Sequence, residues 1–230
     1  LHQEARRQRQ MCIRDSAGTV LESDSAKYKS GDKVVLTGWG VGENFWGGYS
    51  QQQRVKSEWL VSLPAAFTTR DAMAIGTAGL TSMVCVLALE DAGVKPADGP
   101  ILVTGATGGV GSVAIVLLNK LGYEVAALTG KPDSHDYLRE LGASEIIDSG
   151  KEWSEPPKPL GGQRWGGAID TLGSVQLARI LTEVNYNGAV AACGLAAGFD
   201  LPTTVMPFIL RGVKPAVSYT HLTLPTSFLV

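Results

Sequence analysis

Four glycines fall within nine residues of this sequence, Val103-Thr104-Gly105-Ala106-Thr107-Gly108-Gly109-Val110-Gly111. The apolar run Ile101-Leu102-Val103 precedes them, and a helix-like pattern over residues 110–121 follows. In a strand–turn–helix order, glycines let the backbone approach a pyrophosphate, and the helix N-terminus adds unpaired N–H groups and the positive end of its dipole. The chemistry implied is the holding of a dinucleotide. The spacing departs from Gly-x-Gly-x-x-Gly, since the first pair is Gly105 and Gly108.

A second apolar run, residues 124–128, ends in Thr129-Gly130-Lys131. An NAD-selective site would place Asp or Glu there, to accept hydrogen bonds from the ribose hydroxyls. This sequence instead offers a hydroxyl and a cation, which suit a 2′-phosphate. The cofactor expected is therefore NADP or NADPH rather than NAD.

Other chemistries are poorly represented. Cys12, Cys85 and Cys193 lie far apart, with no Cys-x-x-Cys pair and no Cys/His cluster at zinc-ligand spacing. Cys85 and Cys193 sit in apolar runs and read as small hydrophobes; the cysteine usage fits a reduced, cytoplasmic setting. A formal net charge of −2, with both signs mixed, provides no long-range field for nucleic acid or an anionic membrane. There is no uninterrupted apolar run of about 18 residues. The partner expected is a small molecule, with no nucleic acid and no membrane.

The elements around the turn follow from periodicity. Residues 18–64 read as short β-runs split by glycines, GTVLES, DKVVLTG and YSQQQRVKSEWLVSLP, and so as part of a small antiparallel β-domain. Residues 69–93 turn helical, with Thr68 or Thr69 as N-cap and a tight joint at Gly76 and Gly79. From Pro100 onward β-runs alternate with helices over residues 110–121, 134–141 and 175–184, a pattern that demands a parallel sheet covered on both faces. Residues 151–162, rich in Pro and Gly, read as a surface loop. The fold class is α/β, a Rossmann-type doubly wound parallel sheet beside part of a β-domain.

Both ends look different in kind. Residues 1–16 carry four arginines and no apolar period, and residues 215–230 break off a pattern still running. Both are read as non-native flanks. The remaining chain divides into a β-domain over residues 17–68 and a cofactor domain, with its preceding hinge helices, over residues 69–214.

Two enzyme families use turns of this kind. Short-chain dehydrogenases carry Thr-Gly-x-x-x-Gly-x-Gly, which residues 104–111 match, but near the N-terminus and with a Tyr-x-x-x-Lys pair that is absent here. The turn Ala106-Thr107-Gly108-Gly109-Val110-Gly111, placed after a β-domain, resembles that of medium-chain reductases of the quinone-oxidoreductase type. The segments GDKVVLTGWGVGENFWGGYSQ, GTAGLTSMVCVLALEDAGVKP, VTGATGGVGS, NYNGAVAACGLA and LPTTVMPFILR resemble the acrylyl-CoA reductase, or YhdH-type quinone oxidoreductase, group of the medium-chain dehydrogenase/reductase superfamily.

The resemblance implies a GroES-like β-barrel domain beside the Rossmann-type domain, and NADPH-dependent reduction of an activated C=C bond, acrylyl-CoA to propionyl-CoA. The alternatives are an NADPH:quinone or general enone reductase, and an NADPH-binding fragment without catalysis. It carries the phosphate turn onto Thr107, Gly108, Gly109 and Val110, and the 2′-phosphate loop onto Thr129, Gly130 and Lys131. It carries the nicotinamide half onto Thr81, Leu195 and Ile209, and implies a homodimer for the full-length form. Zinc alcohol dehydrogenases insert a four-cysteine lobe where residues 30–51 run through without cysteine, so no zinc is expected. Asn44 and Trp46 are the polar and aromatic groups of that loop that could face a substrate.

Overall fold

The structure, a computed structural model, describes residues 15–217. The expectations for residues 1–14 and 218–230, and for Cys12, lie outside the described residues. The chain forms two compact units that divide between Thr77 and Ala78.

In the first unit three short strands, β1 (Ser16–Thr19), β2 (Lys33–Leu36) and β3 (Leu60–Ser62), pair antiparallel in that order. Val34 and Leu36 turn inward on alternate positions of β2, as the period of two requires. Leu36, Val41 and Trp59 form a small core, on which Trp39 stacks at 5.9 Å from Trp59 and Phe45 tilts at 4.8 Å. Ser16, assigned to a flank from sequence, is the first residue of β1. The neighbouring Asp15 carboxylate accepts hydrogen bonds from the Thr37 hydroxyl and from the Thr77 hydroxyl and N–H, at 2.5–2.8 Å. Most of the run expected as a third strand is not one: residues 49–56 are irregular, a 3₁₀ turn occupies Ser57–Trp59, and only β3 pairs. Four of those irregular residues are Gln or Ser, which alternate with nothing apolar to face a core.

Helix α1 (Thr69–Asp91) starts on a capping box, in which the Thr68 hydroxyl accepts from the Asp71 N–H and the Asp71 carboxylate accepts from the Thr68 N–H and hydroxyl. Those bonds hold the Asp71 carboxyl below its ordinary range. The joint falls at Gly76 alone, where φ is 50° and ψ is −162°; Gly79 is helical. No side chain with a Cβ adopts that conformation readily. By length and mean hydropathy α1 matches a membrane span, yet it is broken by Gly76, and Cys85, Val86 and Leu89 lie in the core of the second unit.

That second unit is a six-stranded parallel sheet, β4 (Ile101–Val103), β5 (Val125–Thr129), β6 (Glu145–Asp148), β7 (Trp165–Asp170), β8 (Val184–Ala192) and β9 (Lys214–Val217), in the order β6-β5-β4-β7-β8-β9. Alternate residues of each strand feed two cores. Ile101 and Val103 of β4 pack with Cys85, Leu89, Ile115, Leu118 and Leu138, and Leu102 packs with Trp165, Ile180, Leu181 and Val213 on the other face. Helices α2 (Gly109–Lys120) and α3 (His135–Glu140) cover the first face, and α4 (Ser174–Glu183) with α5 (Met206–Arg211) covers the second. This is the doubly wound fold read from the alternating pattern.

Two details differ. The segment expected as a surface loop carries Trp153, which is buried in the second core with an Arg179 guanidinium 5.1 Å from its ring. Strand β9 extends to Val217, so residues 215–217, assigned to a flank, pair in parallel with β8.

Candidate cofactor-binding site

The strand order reverses between β4 and β7, the two neighbours from which the sheet grows outward in both directions. Ligands of such sheets bind in the crevice beyond the C-terminal ends of the strands at that switch point. The glycine turn leaves β4 directly into it.

Gly105 adopts φ +56°, and a Cβ there would overlap the Thr171 hydroxyl. A Cβ on Gly111 would stand 2.5 Å from the Gly105 carbonyl oxygen, one on Gly108 3.1 Å from the same atom, and one on Gly109 3.0 Å from Ala78 Cβ. The turn thus folds on itself with no room for side chains, while Gly108 and Gly109 themselves are exposed and Thr107 and Val110 are half-buried. Gly108 is the N-cap of α2 and brings no side-chain acceptor. The first N–H groups of the 12-residue helix therefore have no side-chain cap, and backbone donors lie where a pyrophosphate would rest. A turn too tight for any Cβ, with exposed Gly108 and Gly109 at a helix N-terminus that has no side-chain cap, fits a dinucleotide.

Buried groups hold this turn from behind. The Ser82 hydroxyl, on α1, engages the Val110 carbonyl at 2.7 Å and the Ala78 carbonyl at 2.8 Å. Thr81, one residue earlier, is buried. Asp170, at the end of β7, is fully buried; its carboxylate accepts from the Thr104 hydroxyl at 2.7 Å and from the Gly173 N–H at 2.8 Å. Burial pushes the Asp170 carboxyl up, and the hydrogen bonds from Thr104, Gly173 and Leu172 pull it down; the direction that prevails is upward.

At the end of β5, Gly130 and Lys131 are exposed, as a phosphate ligand requires. Thr129 is not: its hydroxyl is buried and accepts the Lys131 N–H at 3.1 Å, so it shapes the loop from inside. Sequence reasoning missed Ser149. Its N–H donates to the Thr129 carbonyl at 2.8 Å, and its hydroxyl lies 2.8 Å from where a Cβ on Gly130 would be. The signal available was the hydroxyl residue directly after the third strand of the βαβαβ series. Nearby, His135 and Asp148 pair at 3.0 Å.

The remaining assignments separate. Leu195 is 66% exposed in the loop after β8, and that loop is tied to the end of β7 through the bond from the Ala196 N–H to the Thr171 carbonyl. Ile209, 74% exposed, stands on α5, which packs against α4 and β8. Asn44 and Trp46 belong to the first unit, where Trp46 is almost fully exposed.

The comparisons with known proteins agree with this geometry. Residues 109–221 match the family described as zinc-binding dehydrogenase. The chain is 55% identical over 200 residues to the acrylyl-CoA reductase AcuI of Ruegeria pomeroyi, covering 87% of this chain and 61% of that protein. The crystal structure of E. coli K-12 YhdH with bound NADPH is similar at a TM-score of 0.89 and 55% identity, over 93% of this chain and 66% of that one. Bacillus subtilis YhfP with NAD bound is similar at a TM-score of 0.89 and 42% identity, over 94% and 65%. This chain thus spans less than two thirds of the length of these relatives. The family description mentions zinc. Among the described residues, no group of three or more His, Cys, Asp or Glu side chains is arranged to hold a metal ion, so the residues present do not fit one. In its sheet order, its glycine turn and this extent of identity, the chain is a close homologue of AcuI, YhdH and YhfP, and the zinc-binding dehydrogenase match falls on its cofactor-binding half.

Proposed function

We propose that this chain is the cofactor-binding segment, with part of the catalytic β-domain, of an NADPH-dependent reductase that converts acrylyl-CoA to propionyl-CoA. The observation that carries the reading is the switch-point turn combined with an acid-free β5 end bearing exposed Lys131. The identity to AcuI supports the substrate class. NADPH, when bound, supplies a hydride for the β-carbon of the unsaturated thioester, and the protein positions it.

The chain's own residues bind and orient. Thr107, Gly108, Gly109 and Val110 line the pyrophosphate position at the N-terminus of α2. Lys131, with Ser149 beside Gly130, meets the 2′-phosphate, and Thr129 holds the loop that presents them. Thr81, Leu195 and Ile209 line the nicotinamide half. Residues 69–214 act as the cofactor domain, and the full-length enzyme is a cytoplasmic homodimer. The chain by itself binds cofactor with little or no turnover, because more than a third of the matched relative lies outside the match.

The test is loss of reduced-nicotinamide absorbance on adding acrylyl-CoA to a full-length protein containing this segment, with the product identified by mass. Propionyl-CoA formed in step with NADPH consumed supports the reading. Turnover of quinones or simple enones without acrylyl-CoA would replace the substrate assignment. NADPH binding with no turnover on any of them would leave a binding protein.

A further inference from the structure

The residue Thr171 stands between two loops that the sequence separates by almost ninety positions. On one side it is interlocked with the glycine turn. Its N–H donates to the Thr104 hydroxyl at 2.9 Å, and its hydroxyl donates to the Thr104 carbonyl at 3.0 Å. That hydroxyl also occupies the space a Cβ on Gly105 would need. On the other side, its carbonyl accepts the Ala196 N–H at 3.3 Å and fills the space beside Gly194, while the next carbonyl, of Leu172, accepts the Ala197 N–H at 2.8 Å. The Asp170 carbonyl extends the same seam by accepting the Cys193 N–H at 2.9 Å.

Thr104 follows β4 and Thr171 follows β7, so the reciprocal pair straddles the point where the strand order reverses. A doubly wound sheet holds one mononucleotide half of its ligand on each side of that point. Whatever fixes the turn after β4 against the loops after β7 and β8 therefore fixes one half of the ligand against the other. Packed, hydrogen-bonded contacts of this kind transmit position because they admit few alternative arrangements.

We propose that Thr171 is a positioning residue: its hydroxyl locks the pyrophosphate turn to the loop after β7, whose backbone in turn holds the loop after β8, and so aligns the nicotinamide half of the cofactor with the half held by the turn. The proposal rests on the cofactor reading above.

Two ligands separate the halves: NADPH, and 2′-phosphoadenosine diphosphoribose, which lacks the nicotinamide. Their affinities for this chain are measured by calorimetry in the unsubstituted protein and in Thr171→Val and Thr171→Ser. The unsubstituted chain binds NADPH more tightly than the shortened ligand. Thr171→Val lowers NADPH affinity about tenfold, the equivalent of about 1.4 kcal/mol, with less than about a twofold change for the shortened ligand. Thr171→Ser, which keeps the hydroxyl, restores the difference. If Thr171→Val does not fold, Thr171→Ala, which adds no methyl in place of the hydroxyl, takes its role. Equal losses for both ligands, no loss, or no rescue by serine would overturn the proposal while leaving the cofactor reading intact. Failure of the unsubstituted chain to bind either ligand would overturn both.

Discussion

Gly109 and Ala78 approach so closely that a Cβ on the glycine would stand 3.0 Å from the alanine's. The second part of α1 thus backs directly onto the first residue of α2, and the cofactor turn is pressed from behind as well as open in front. Contacts at that distance leave no slack in a packed interior. Gly109→Val is expected to push α2 away from α1, abolishing measurable NADPH binding by calorimetry and lowering the melting temperature as well. An unchanged affinity would remove the turn from the site.

The Lys131 side chain is exposed at the position where an acid would select NAD. A charge-assisted hydrogen bond is worth about 1.5–3 kcal/mol, and each 1.4 kcal/mol is about tenfold in affinity. Lys131→Ala is expected to weaken NADPH roughly ten- to a hundredfold and to leave NADH almost unchanged. Affinities that fall in parallel would return NAD to contention.

The buried Asp170 carboxyl has its pKa raised in the folded protein, with burial as the main cause. A carboxyl raised on folding binds its proton more tightly in the native state. Its contribution to stability is then fully present below the unfolded pKa, about 3.9, and is lost as pH rises through the higher folded value. Asp170→Asn cannot titrate. Melts over the acid-to-neutral range are expected to show the unsubstituted protein losing stability relative to Asp170→Asn as pH rises from about 4. A difference that is constant with pH, or of opposite slope, would contradict the shift.

Cys85 and Cys193 share one core, and the Cys193 thiol is pushed far up by its hydrogen bond with the Cys85 thiol and by burial. Thiolate is the reactive form, which the shift disfavours at Cys193, and the fully buried Cys85 is out of reach of an alkylating or disulfide reagent in the native state. In a Cys12→Ser background, both thiols are expected to react with a chromogenic disulfide only at the rate of unfolding. Rapid labelling near pH 8 in native buffer would show an open core.

The sequence by itself determined what depends on neighbours along the chain. The strand–turn–helix order around Gly105 to Gly111, the missing acid after the second strand and the alternating pattern behind the doubly wound sheet are all local. Strand and helix periods are written in consecutive side chains. Local chemistry also set the cap at Thr68. It left the joint in α1 undecided between Gly76 and Gly79, since both glycines permit a break and only packing chooses.

Tertiary structure decided the rest. Thr171 meets Thr104 across 67 positions, and Ser149 comes to lie against Gly130 because β5 and β6 pair with Thr129 opposite Asp148. Thr129 turns its hydroxyl inward to the Lys131 N–H, a choice that burial imposes and residue type does not reveal. Trp153 leaves a Pro- and Gly-rich stretch to fill the second core. Each of these depends on strand register and on which face a side chain finds already occupied. Periodicity carries no information about either, because partners far apart in sequence are specified only when the sheet is assembled and its space is shared out.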